Sequence, residues 1–90
     1  MNGKTYSPIA CGDFDYLEIA CMDNYDVELV MHNEHVRGRA ITTKNDKTGE
    51  FLVIETEGGE RVSLRADLIH KIIVRSTNAR FREHTFTPTA

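Results

Sequence analysis

The hydrophobic period of this chain changes once, at Tyr25, and that change constrains what it can fold into. Before it, Phe14, Leu17 and Cys21 fall at i, i+3 and i+7, the stripe of a helix with one face on a core. The spacing predicts a helix over 13–22, with Asp13 as N-cap and with Asp15 and Glu18 placing negative charge near its start, where the helix dipole favours it. After it, Val27, Leu29 and Met31 alternate with Asp26, Glu28 and Val30, the period of a half-buried strand.

The strand signals continue. Val36, Gly38, Ala40 and Thr42 alternate with Arg37, Arg39 and Ile41, and Gly38 marks a bend or bulge in this second strand. Lys44 to Gly49 has the composition of a loop. Residues 51–57 read as a third strand, joined through Gly58-Gly59 as a tight hairpin to a fourth at Arg61-Val62-Ser63-Leu64. Ala66-Asp67-Leu68 is a corner before a fifth strand over 69–74. Residues 1–12 read as an extended arm, since Pro8 disfavours a helical Ser7, and 76–90 as a flexible tail.

The expected fold is therefore mainly β: a curled five-stranded antiparallel sheet after one helix, in a single domain over 1–75. So short a set of strands covers its edges best by closing into a small barrel, as Sm-like and OB-type folds do. A leading helix and a continuous meander favour the Sm-like form. Ninety residues allow one thin core. No apolar run is long enough to span a membrane, and the first six residues contain no secretory h-region, so the expected address is the cytoplasm. On the expected helix Cys11 and Cys21 would lie on the order of 15 Å apart, beyond disulfide reach, and read as reduced thiols.

Charge is divided unevenly. Residues 1–35 carry seven acids against Lys4 alone, whereas 36–90 carry ten bases against seven acids. An acidic first half repels nucleic acid and attracts a basic protein, unless the two halves neutralise each other within the fold. Asp15, Glu18, Ile19 and Met22 fall on the helix side away from Phe14, Leu17 and Cys21, an apolar contact with a charged rim. The sheet carries Arg37, Arg39, Arg61, Arg65, Lys71 and Arg75, which would suit an RNA-binding module, but the late Arg-Gly of Sm-type RNA sites is replaced by Arg75-Ser76.

Catalytic and cofactor signals are missing. His32-x-x-His35 has no evident third metal ligand, no glycine-rich phosphate loop precedes a helix, and no serine sits in a nucleophile motif. The reading is a binding protein, with no enzyme activity, metal or cofactor expected.

The string Tyr6-x-Pro8-Ile9-x-Cys11-x-x-Phe14-Asp15-x-Leu17-Glu18-x-Ala20-Cys21 closely resembles the Rof (YaeO) family, protein inhibitors of the transcription terminator Rho. The likeness continues more loosely through Val27, Leu29, Phe51-Leu52-Val53 and Gly58-Gly59, covering roughly residues 5–74. Gly12 stands where the family carries a further acid, and Phe14 where it carries a tyrosine. The resemblance implies an Sm-like fold and a monomer that binds the N-terminal RNA-binding domain of the Rho hexamer and blocks RNA loading. Because an RNA site must be basic to hold phosphates, Asp15 and Glu18 of the acidic helix are the expected principal contacts, supported by Asp13, with Ile19 and Met22 as apolar anchors. Lys44, Asn45 and Lys47, in the expected loop, form a second contact. The alternative is an Sm-like RNA-binding module.

Overall fold

A computed structural model describes residues 11–86; the expected arm, apart from its last two residues, lies outside them. Helix α1 spans Cys11–Met22. It starts before Asp13, which therefore lies inside the first turn and is not the N-cap. Its end is closed by backbone geometry: the Asn24 N–H donates to Cys21 O (3.2 Å) and the Tyr25 N–H to Ala20 O (2.9 Å). Asn24 sits at φ 50°, the left-handed conformation that asparagine tolerates better than most residues. Its side-chain amide also donates to Ala40 O at 2.8 Å, which ties the end of the helix to the sheet.

Among the described residues six strands follow: β1 (Asp26–Val30), β2 (His35–Asp46), β3 (Gly49–Glu55), β4 (Arg61–Arg65), β5 (Lys71–Val74) and β6 (Glu83–Thr85). A 3-10 turn at Ala66–Leu68 forms the expected corner. All pairings are antiparallel, in the order β4-β3-β2-β1-β5-β6. The architecture is mainly β behind one helix, as expected, with two corrections. The meander is broken, because β5 crosses to the far side of β1, and among the described residues the ladder does not close, so β4 and β6 are its edges.

The sixth strand corrects the reading of the C-terminal region. The described part of it, 76–86, packs onto the fold: β6 pairs with β5, the Arg80 N–H donates to the Tyr25 hydroxyl (2.8 Å), and Phe86 is buried. Phe81 and Phe86 supply the apolar burial that anchors an otherwise polar segment.

Alternation in β1 puts Val27 and Leu29 in the core with Leu17 and Ala20 of α1, Leu52 and Ile54 of β3 and Ile72 of β5. In β2 the bulge falls at Ile41, between the pairs Ala40↔Ile54 and Thr42↔Val53, and not at Gly38. One extra residue reverses which side chains face inward: Ala40 is buried before it, and Ile41 and Thr43 are half-buried after it. Gly38 has another cause. A Cβ there would lie 2.6 Å from Glu55 O, so the neighbouring backbone leaves room only for hydrogen.

Candidate partner-binding surface

The outward face of α1 brings together three of the expected contacts, Asp15, Glu18 and Met22. Asp15 and Glu18 are exposed, and Met22 is 68% exposed, a large apolar side chain left in solvent at the helix end. These residues recur three and four positions apart, so they share one face. Ile19 belongs to it only in part, being half-buried beside a groove it lines with Arg80 and Phe81.

Asp13 does not join this face. It is buried, and its Oδ1 accepts from His84 Nε2 at 2.7 Å. The cause is the i, i+4, i+7 relation of Asp13, Leu17 and Ala20, which turns all three toward the sheet. The His84 ring stacks on Tyr16 with centroids 3.8 Å apart, and Phe81 meets Tyr16 edge-on at 5.0 Å. The C-terminal segment thus holds the helix in place, and Asp13 belongs to that attachment.

The second expected contact is also corrected. Lys44 and Asn45 lie within β2, paired with Phe51 and Glu50, and the connection to β3 is only Lys47-Thr48. Asp46 makes so short a turn: its carboxylate accepts from the Thr48 hydroxyl and from the Thr48 backbone N–H (2.7 Å), which hold its pKa below the usual carboxylate range. Lys44 Nζ lies 5.7 Å from the Phe51 ring centroid. Lys44, Asn45 and Lys47 remain exposed, on the tip of a tight hairpin.

Charge pairing decides what the surface can attract. Four of the acids in the first half are matched: Asp13 by His84, Asp23 by Arg80 (3.9 Å), Asp26 by Arg37 (3.8 Å), and Glu28 by His35 (2.7 Å) and Arg75 (3.9 Å). The hydrogen bond from His35 is the main reason that the Glu28 carboxyl titrates below its ordinary value. Among the described residues, Asp15, Glu18 and Glu34 have no ion-pair partner, and the first two share the face that exposes Met22. Of the six sheet bases, Arg37, Arg65, Lys71 and Arg75 lie within 4 Å of a carboxylate, on Asp26, Asp67, Glu83 and Glu28.

Cys21 is a free thiol whose pKa is pushed up to about 11, first by burial and then by the Glu18 charge. The Cys11 side chain lies outside the described residues. His32 and His35 do not converge: His35 faces Glu28, and His32 meets His70 edge-on at 6.1 Å. Neither His84 nor the bulge at Ile41 carried a signal in local periodicity.

A profile described as modulator of Rho-dependent transcription termination (ROF) matches residues 8–86. The chain belongs to the Rof family. Protein rof of Escherichia coli (strain K12) is 38% identical over 66 residues, spanning 72% of this chain and 77% of its own. Protein rof of Shigella flexneri matches over the same lengths at the same identity. Among solved structures, YaeO from Vibrio cholerae O395 bound to magnesium superposes with a TM-score of 0.74 at 27% identity, covering 81% of this chain and 96% of that one. The family's described role is modulation of termination, not a catalysed reaction. Among the described residues of this Rof-family chain, no three His, Cys, Asp or Glu side chains converge to hold a metal ion, so they form no all-protein cage for magnesium. No described helix is long and apolar enough to cross a membrane.

Proposed function

We propose that this chain inhibits Rho-dependent termination by laying the acidic face of α1 on the N-terminal RNA-binding domain of Rho, so that RNA cannot load. The observation that carries the reading is the exposure of Asp15 and Glu18, without ion-pair partners among the described residues, around the exposed Met22. A site that holds RNA phosphates must be basic, and a carboxylate-bearing helix suits the same positive potential. Lys47, at the hairpin tip, serves as a second contact, and the protein acts as a monomer in the cytoplasm.

The RNA-binding alternative has less support. It needs unneutralised bases along the sheet, and four of the six candidates already face carboxylates.

The test is direct binding to the Rho hexamer by wild type and by the Asp15→Lys, Glu18→Lys double variant. A carboxylate buried against an arginine should lose about 2–5 kcal/mol when truncated, and one at a wet rim about 0–1 kcal/mol. The reading expects the reversed charges to abolish binding while the fold is retained. Equal affinity for the two proteins would refute it.

A further inference from the structure

We infer that the groove between α1 and the bulged segment of β2 seats a long basic side chain, arginine or lysine, from the partner. This rests on the reading of α1 as the docking face and extends that face onto the sheet. The groove has a volume of about 450 Å³ and is lined by Glu18, Cys21, Met22, Ile41, Thr42 and Thr43.

The bulge creates it. Without the extra residue at Ile41, strict alternation would leave the positions beyond Ala40 in the opposite orientation. With it, Ile41 is only half-buried and becomes one apolar wall of the groove, facing Met22 and Cys21 on the helix. The closed helix end, tied through Asn24 to Ala40 O at 2.8 Å, holds the two walls together.

The chemistry of the walls selects the occupant. Met22, Ile41 and the protonated thiol of Cys21 offer an apolar surface, Glu18 one carboxylate, and Thr42 and Thr43 hydroxyls. Among the described residues no base lines the groove, so a phosphate would meet the Glu18 charge with no cation to offset the repulsion. An aliphatic side chain alone would fill the floor and leave Glu18 facing nothing. An arginine or lysine does both: its methylene stem lies over Met22 and Ile41 while its cationic head meets the carboxylate. Asp15, one turn earlier on the helix, is exposed but lines a neighbouring groove with Ile19 and Arg80, so Glu18 is the carboxylate that meets the cationic head.

The experiment measures affinity for the Rho hexamer with Ile41→Lys, Thr42→Lys and, as a control, Ser63→Lys. Thr42 and Ser63 are both exposed, so each substitution is compatible with the fold and adds the same charge in a different place. The inference expects Ile41→Lys and Thr42→Lys each to weaken binding at least tenfold, with Ser63→Lys within about twofold of wild type. If the Asp15→Lys, Glu18→Lys variant loses binding while Ile41→Lys and Thr42→Lys bind like wild type, the groove is refuted and the acidic face stands. If Ser63→Lys weakens binding as much as the groove variants, the effect is one of net charge and the groove is refuted. If no variant weakens binding, the groove and the acidic face both fall.

Discussion

Asp13 Oδ1 and His84 Nε2 lie 2.7 Å apart although 71 residues separate them in the chain, and this bond joins the first helix to the last strand. Both side chains are largely buried, at 12% and 21% exposure, and the imidazole also stacks on Tyr16. The helix proposed to meet Rho is therefore held from behind by the C-terminal segment.

His84→Ala removes that bond from a buried carboxylate and should cost about 1–3 kcal/mol in urea unfolding. His84→Gln keeps a side-chain N–H and should recover part of the loss. Wild-type stability in His84→Ala would show that the attachment contributes nothing.

Phe86→Ala tests whether the segment over 76–86 belongs to the fold. Phe86 is buried against the core cluster, so its truncation should destabilise by about 3–5 kcal/mol. A free tail would tolerate the change, and an unshifted unfolding midpoint would mean just that.

The glycines separate steric need from convenience. Gly38→Ala forces a methyl group to within 2.6 Å of Glu55 O and should cost about 1–3 kcal/mol. Among the described residues Gly12→Ala meets nothing within 4 Å, in a helical position, and should stabilise by about 0.5–1 kcal/mol. Paired thermal melts of the two variants check both signs.

Cys21 makes stability depend on alkaline pH. Its folded pKa of about 11 lies above the ordinary 9.0, so above pH 9 the unfolded chain loses this proton first. The stability associated with it is present below pH 9 and is lost as pH rises toward 11. Cys21→Ala should flatten the fall in unfolding free energy between pH 9 and 11. Identical slopes for the two proteins would contradict the shift.

Much of this architecture was legible because it is local. Val27, Leu29 and Met31 alternate where the strand is half-buried, and Asp15, Glu18 and Met22 recur at helical spacing on the exposed side. Errors arose where long-range pairing outweighed local preference. Lys44, Asn45 and Asp46 have the composition of a loop, yet each pairs in the ladder with β3, and differences in strand propensity of about 1 kcal/mol do not resist that. Asp13 resembles a cap and a surface acid until His84 is known to lie beside it, a relation that no local period encodes. The short run over 83–85 gains its strand character only from pairing with β5. Glycine at 38 was expected to mark a bend or bulge, but close backbone approach accounts for it and the bulge lies three residues later.

The central claim, that the acidic face of α1 competes with RNA on Rho, is tested most directly by displacement. Labelled pyrimidine-rich RNA is bound to the Rho hexamer and titrated with wild type and with the Asp15→Lys, Glu18→Lys variant. The account predicts that wild type releases the RNA in proportion to its own binding and that the folded variant leaves it bound. Wild type binding Rho with the RNA still in place, or both proteins releasing it equally, would contradict the account.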